Sequence, residues 1–246
     1  MKLLQQSGRI DAGSVAERFG ITLETVRRDL IALESDGVVL RVHGGAVLAE
    51  RRMSLPGRVA MNADHKNAIA HAAMAYIPRV GAILLDAGST VGRLAEVWPG
   101  GDPLIVVTNA LPAAMTLVTK PSVVVHTLGG RVGPVTLDEV GTAALQALSQ
   151  VSVDVAFIGA DGMSLSHGFS SPDHAQSATK RAMIDAAKRS IVLADSSKFG
   201  VDYFSRIATL READLLITDE GADPAFVDEF RAAGLDVLIA PPVPHE

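Results

Sequence analysis

The 246-residue chain has no cysteine, which excludes a disulfide framework, a thiolate metal site and a cysteine nucleophile, and fits a reducing compartment. Aromatic residues are scarce, at 4%. Trp98 and most of the phenylalanines are therefore assigned to packing rather than to a base-stacking platform. No apolar run is long enough to cross a bilayer and no Lys/Arg-led signal segment opens the chain, so a soluble, cytoplasmic protein with no membrane partner is expected. Three motifs are also missing: the G-x-G-x-x-G dinucleotide fingerprint, the G-x-x-x-x-G-K-[ST] phosphate loop and the H-E-x-x-H zinc motif. His43, His65, His71, His126, His167, His174 and His245 are scattered without ligand spacing, so no metal and no cofactor is expected.

What is present is ample core material. Hydrophobic residues make up 48% of the chain and charged ones 20%, and the length suits a small domain plus a larger one. The net charge of -6 argues against a general polyanion binder, but the charge is unevenly spread. Through Arg58, nine lysines and arginines face seven acids, a surplus of two; the rest of the chain carries an excess of eight negative charges. The basic patch lies at the front.

There, "DAGSVAERFG" starts at a possible N-cap, Asp11, places Val15 and Phe19 at helical spacing and stops at Gly20. Thr22 can cap a second helix in which Val26, Leu30 and Leu33 share one buried face. "VVLRVHGGAVL" then alternates and breaks at Gly44-Gly45, as a hairpin does. Helix, turn, helix and hairpin together give a winged helix-turn-helix over residues 1–50. A linker follows at 51–62, where charges, Pro56 and Gly57 show no period. Over 63–246, apolar runs ("AILLD", "LIVVTN", "VVVHTLGG", "DVAFIGAD", "SIVLAD", "DLLITD", "DVLIA") alternate with helical segments such as "TVGRLAEVW" and "DEVGTAALQALSQ". The expected fold class is α/β, a small winged helix-turn-helix before a larger Rossmann-like, mostly parallel sheet.

Two adjacent arginines on a short helix are by default a solvated face. Here a capped second helix, the turn before it and the Gly-Gly hairpin coincide, and the stripe of Val26, Leu30 and Leu33 turns Glu24 and Arg28 outward, with Thr25 and Arg27 on the flanks. That is the arrangement of a recognition helix, in which guanidinium groups meet guanine edges or phosphates. The candidate DNA-binding residues are Thr22, Glu24, Thr25, Arg27 and Arg28, with Arg41 and His43 on the wing. Asp29, nearer the buried side, is expected to pair with Arg18 or Arg41.

In open parallel sheets ligands bind beyond the carboxyl ends of the strands. "LLDAGST" leaves Asp86, Gly88, Ser89 and Thr90 at one such end with a helix following, the parts of a phosphate cradle. Other strand ends supply Thr108 and Asn109; Gly129, Gly130 and Arg131; Asp161 and Gly162; and Asp195 and Lys198. Arg131 and Lys198 could neutralise phosphate oxygens, while Asp86, Asn109, Asp161 and Asp195 could accept from sugar hydroxyls. Singly these are ordinary turns, caps and surface lysines; their recurrence favours a phosphorylated small molecule. "HGFSSPDHAQSATK", which leads into a helix with Lys180, a further candidate effector-binding residue, reads either as a lid or as an ordinary loop with a solvated lysine.

"TVRRDL…LRVHGGA" resembles the DNA-binding segment of the DeoR family of bacterial transcriptional regulators, and the likeness continues to the C-terminus. The resemblance implies a repressor of sugar metabolism whose grip on operator DNA is altered by a sugar phosphate. The segment from "DVAFIGADG" to "VLADSSKFG" is closest to fructose-operon regulators of the family, which suggests fructose 1-phosphate. Family members have a full helix before "SGRI"; this chain begins "MKLLQQSGRI", so a shortened first helix and a less stable DNA-binding domain are expected. The second domain is similar in fold to ribose-5-phosphate isomerase, which supplies an enzyme alternative. Asp161 is, however, followed by Gly162, Met163 and Ser164 with no Lys-Gly-rich loop, an incomplete proton-shuttling set that favours binding without turnover. A homodimer or homotetramer is expected, since paired half-sites multiply the specificity of one short recognition helix.

Overall fold

The computed structural model describes residues 3–4, 9–35, 39–42, 44–48 and 55–243. The chain divides into two compact units, Met1–Ala63 and Asp64–Glu246.

In the first unit, strand β1 (Arg9–Asp11) leads into helices α1 (Ala12–Phe19) and α2 (Leu23–Ser35), strands β2 (Val39–Val42) and β3 (Gly45–Leu48), and a short helix α3 (Leu55–Ala60). Asp11 caps α1 by accepting from the Ser14 N–H at 2.7 Å, and Gly20 ends it in the left-handed conformation at φ 63°. The Thr22 hydroxyl caps α2 by accepting from the Thr25 N–H at 3.1 Å. Leu4, Ala12, Val26, Leu30, Val39, Ala46 and Met61 form the small core, with Val15 and Leu33 partly buried against it. Phe19 does not join them and is 60% exposed.

The three strands pair antiparallel in the order β1-β3-β2, so the hairpin gains a third strand, Arg9–Asp11, that was not expected from the sequence. A side chain at position 45 would place its Cβ 1.9 Å from the Ile10 carbonyl oxygen; glycine is what lets β1 close on β3. Helix α3 lies in the stretch read as a linker without regular structure.

The second unit opens with α4 (Ala63–Ala73) and is built on seven parallel strands: β4 (Gly81–Leu85), β5 (Leu104–Thr108), β6 (Val123–Thr127), β9 (Val153–Gly159), β12 (Ala187–Leu193), β14 (Leu215–Asp219) and β15 (Asp236–Ala240). Their order is β15-β14-β12-β9-β4-β5-β6. The chain runs outward from β4 to β6 and then returns to lay β9 on the other side of β4, so the order reverses between β4 and β9, where a Rossmann-like sheet opens a crevice.

Both faces of the sheet are covered. Ile83, Leu85, Phe157, Ile191 and Ile217 pack with Ile69 of α4, Val91 and Leu94 of α5 (Ser89–Val97) and Leu117 of α6 (Leu111–Leu117). Leu84, Ala156, Ile158, Val192 and Leu216 pack on the opposite face with Ala144 and Leu148 of α7 (Thr142–Leu148), Met183 of α8 (His174–Asp185) and Phe230 of α9 (Pro224–Ala232). Burial on both sides is why these strands read as unbroken apolar runs rather than as alternation.

Two segments depart from expectation. "DEVGTAALQALSQ" is not one helix: Arg131–Val132 (β7) pairs with Glu139–Val140 (β8), and α7 begins only after Gly141, whose φ of 96° suits glycine. The start of the expected lid is a strand, β11 (Gly168–Ser171), buried between β10 (Gly162–Ser164) and β13 (Ser205–Ala208) in a small antiparallel sheet. Its serines are hidden among hydrogen-bond partners, a pattern that resembles a polar loop in sequence. Among the described residues no helix is long and apolar enough to cross a membrane.

Candidate nucleic-acid interface and anion site

Helix α2 seats Val26 and Leu30 in the small core, which forces Glu24, Arg27 and Arg28 to its exposed side. Arg27 and Glu24 lie 4.0 Å apart and both are well exposed, a loose pair that leaves the guanidinium available to a phosphate or a base edge. Thr25 is half-buried, and its hydroxyl meets the Thr22 hydroxyl at 2.8 Å, so both threonines serve the cap.

On β2, the Arg41 guanidinium donates from Nε to Glu34 at 2.6 Å, while the Arg41 backbone N–H donates to the same carboxylate at 3.1 Å. That bond holds the Glu34 carboxyl below its usual range. Asp29, by contrast, is exposed. The carboxylate that fastens β2 to α2 is thus Glu34, and not Asp29 as expected. His43 lies outside the described residues.

In the second unit, Asp86 ends β4 at the reversal point and is 1% exposed. Its Oδ2 accepts from the Gly159 N–H at 2.9 Å and from the Lys180 ammonium, which reaches it from α8 and is itself buried. Oδ1 has no hydrogen-bond partner among the described residues. Burial pushes the Asp86 carboxyl above its ordinary range; Lys180 pulls it down, and nearby Asp138 adds to the rise. Lys180 is therefore neither a lid residue nor a solvated lysine but the counter-charge of a buried acid.

Two residues on, Gly88 turns the chain into α5 at φ 137°, with open space where a Cβ would stand. No side chain caps this helix, so the first N–H groups of Ser89, Thr90 and Val91 have no acceptor among the described residues. A nine-residue helix presents its positive end here, beside a glycine that allows close approach.

Asn109 and Thr108, at the end of β5, brace this turn. Asn109 Oδ1 accepts from the Ala87 N–H at 2.8 Å, and the Thr108 hydroxyl donates to the Leu85 carbonyl at 2.7 Å. Gly129 donates its N–H to Glu139 at 2.8 Å, and Gly130, at φ 121°, passes so close to Val140 that a Cβ would lie 2.7 Å from its carbonyl oxygen. Arg131 is exposed on β7. Asp161 accepts from the Ser171 hydroxyl at 2.7 Å, and Gly162 lies under Val201. Asp195 and Lys198 are buried at the end of β12, two strands from β4, where Asp195 caps a 3-10 turn by accepting from the Ser197 N–H at 3.1 Å.

Several polar residues of this region were not anticipated from sequence. Asp138 and Glu139 are buried, and a chain of side-chain contacts runs from Asp138 through the Thr136 hydroxyl to Gln176, whose amide donates to Thr136 at 3.1 Å. The acid pair was hidden inside a segment read as an amphipathic helix; its position directly before "VGT" was the available signal.

A family model described as the DeoR C terminal sensor domain matches residues 61–220, and one described as the DeoR-like helix-turn-helix domain matches residues 1–52. The chain belongs to the DeoR family. It is similar to the HTH-type transcriptional repressor GlcR of Bacillus subtilis (strain 168), with 33% identity over 97% of this chain and 93% of that one. The HTH-type transcriptional regulator GolR of Listeria innocua is 32% identical over 97% and 95%. The glycerol-3-phosphate regulon repressor of Escherichia coli (strain K12) is 28% identical over 89% and 88%. Among solved structures, ribose 5-phosphate isomerase A of Methanocaldococcus jannaschii aligns over 56% of this chain and 55% of its own at TM-score 0.42 and 19% identity, too distant to argue from. In this chain the helix-turn-helix match precedes the sensor-domain match, and the seven-stranded parallel sheet lies in the second unit.

Proposed function

We propose that this DeoR-family member represses a sugar-metabolism operon and that a phosphorylated sugar bound in residues 63–246 alters its grip on operator DNA. The observation that carries the sensor half is the uncapped N-terminus of α5 after Gly88, beside the buried Asp86–Lys180 pair at the reversal point of the sheet. Such a helix end attracts a phosphate, and Gly88 lets the ester oxygen reach the backbone. Arg131, on β7, and Lys198, beyond β12, are the cations proposed to approach the phosphate, and fructose 1-phosphate is the first effector to try.

For the DNA half, residues 1–50 hold the operator through Arg27, Arg28 and the Thr22–Thr25 end of α2, with Arg41 of β2 and with His43 as a further contact. The protein acts as a homodimer or homotetramer on paired half-sites. Effector binding shifts the population between arrangements that bind DNA and arrangements that do not.

The test is a mobility-shift assay on the promoter region beside the protein's own gene, with and without a panel of sugar phosphates. Retardation that one member of the panel relieves or strengthens is expected. The Arg27→Ala, Arg28→Ala double variant should lose the shift, and undiminished binding by that variant would remove α2 as the reading element. Turnover of a panel member would replace the sensor with an isomerase.

A further inference from the structure

Four carboxyl or amide side chains stand at the strand ends as possible acceptors for a ligand hydroxyl, and their bonding separates them. Asn109 spends its carbonyl oxygen on the Ala87 N–H and Asp161 takes the Ser171 hydroxyl. Asp195, whose Oδ1 takes the Ser197 N–H, lies beyond β12, two strands from β4, whereas Asp86 stands on the turn that opens α5. Both donors that reach it, the Gly159 N–H and the Lys180 ammonium, use Oδ2, while Oδ1 is buried with no partner among the described residues. A buried acceptor without a donor is costly, and a water, an ion or a ligand ordinarily supplies what the protein does not.

The position matters as much as the bonding. Asp86 and the uncapped start of α5 belong to one strand–helix turn, separated by Ala87 and Gly88 alone, with open space over Gly88. One end of this turn favours an anion and the other demands a hydrogen-bond donor. Inorganic phosphate satisfies the first and not the second. Nor does the region around Asp86 welcome a second anion, because Asp138 and Glu139 are buried on the neighbouring segment and Asp138 acts electrostatically on Asp86 itself.

We infer that Asp86 Oδ1 is the specificity-determining acceptor for a hydroxyl on the ligand, so that the effector is a phosphomonoester with a hydroxyl near its phosphate rather than phosphate alone. Lys180 is a positioning residue: it occupies Oδ2, neutralises the acid and leaves Oδ1 as the remaining acceptor. This rests on the sensor reading above, with the phosphate at the start of α5. It sharpens that reading by assigning selectivity to one oxygen atom.

The test measures binding of the full-length protein, by calorimetry and thermal shift, to glycerol 3-phosphate, fructose 1-phosphate, fructose 6-phosphate, glucose 6-phosphate and ribose 5-phosphate, against methyl phosphate and inorganic phosphate. At least one hydroxylated ester should bind about tenfold or more tightly than methyl phosphate, since a lost partner for a buried acceptor costs at least that much. Asp86→Leu combined with Lys180→Met removes both side-chain oxygens without leaving a buried ammonium behind, and the preference should collapse toward unity. If methyl phosphate matches every hydroxylated ester in the unaltered protein, the hydroxyl assignment is wrong while the phosphate site stands. A preference retained by the double variant removes Asp86 as the acceptor. Binding by none of the phosphates overturns the sensor reading and this inference with it. Should the double variant not fold, deoxy analogues of the tightest ester decide: one of them must lose about tenfold in the unaltered protein, and equal binding by all of them refutes the assignment.

Discussion

Asp86 and Lys180 are 94 residues apart in the chain and form one buried ion pair. The strand end supplies the acid and helix α8 supplies the base, so the pair ties the end of β4 to α8. Removing only the cation strands a carboxylate in the interior. Lys180→Met should cost about 3–5 kcal/mol, whereas the neutral double variant with Asp86→Asn should recover much of that loss. Urea unfolding followed by fluorescence of Trp98, the chain's single tryptophan, reports on this unit. Equal losses for the single and double variants would show that packing, not charge, dominates here.

A second acid has its effect at low pH. Glu212 accepts from the Thr209 N–H at 2.7 Å and the Thr209 hydroxyl at 2.8 Å, and it pairs with Arg181. The Thr209 backbone bond first, then Arg181, lowers its pKa from 4.5 to about 2. Because the folded value is the lower one, its contribution is fully present above about 4.5 and fades as pH falls toward 2. The side chain is more than a third exposed, so screening reduces its worth to about 1 kcal/mol. Glu212→Gln should destabilise the protein by that amount at neutral pH and flatten this part of the acid limb, read from midpoints of chemical unfolding between pH 2 and 7. An acid limb as steep as that of the unaltered protein would count against the pair.

Periodicity and capping chemistry make the helix pair, its caps at Asp11, Gly20 and Thr22, and all seven parallel strands legible in the sequence. Each of those is a local signal: a capping side chain, a stripe at three and four residues, or a run buried on both faces. Pairing across distance is not legible in that way. Strand β1 exists because Gly45 lets Ile10 approach it, and β11 exists because β10 and β13 flank it. Neither cause lies within the segment itself. At the candidate site, a strand–helix junction points to Asp86, Gly88 and Ser89, and Lys180 is a candidate as well, but its pairing with Asp86 is not legible, since a lysine's partner cannot be told from its neighbours. Glu34 and Glu139 escape notice for the same reason: one binds a wing arginine, the other a glycine N–H ten positions away.

Gly162 separates a structural role from a ligand role. A Cβ at this position would lie 2.4 Å from the Val201 carbonyl oxygen and 3.1 Å from the Tyr203 ring. Backbone cannot yield as a flexible side chain does, so Gly162→Ala should cost about 1–3 kcal/mol, as overpacking does. The same urea titration measures it. A neutral result would mean that the β10 segment yields and that the glycine's place near the strand ends needs another reason.

The cap of helix α2 depends on one hydroxyl. Thr22 Oγ1 accepts from the Thr25 N–H at 3.1 Å and also meets the Thr25 hydroxyl at 2.8 Å, so its removal uncaps α2 and releases the half-buried Thr25 together. Thr22→Ala should weaken the helix by about 1 kcal/mol, whereas Thr22→Ser, which keeps the acceptor, should lose only a few tenths. Amide hydrogen exchange resolves the effect locally. Protection should fall roughly fivefold for amides of Leu23–Ser35 in the alanine variant, the exchange equivalent of about 1 kcal/mol, and remain unchanged across β4 and β9. On the promoter fragment the alanine variant should also bind more weakly than the serine variant, because a frayed first turn presents Arg27 and Arg28 less often in the bound arrangement. Unaltered exchange in α2 would show that packing of Val26 and Leu30 holds the helix start without the cap.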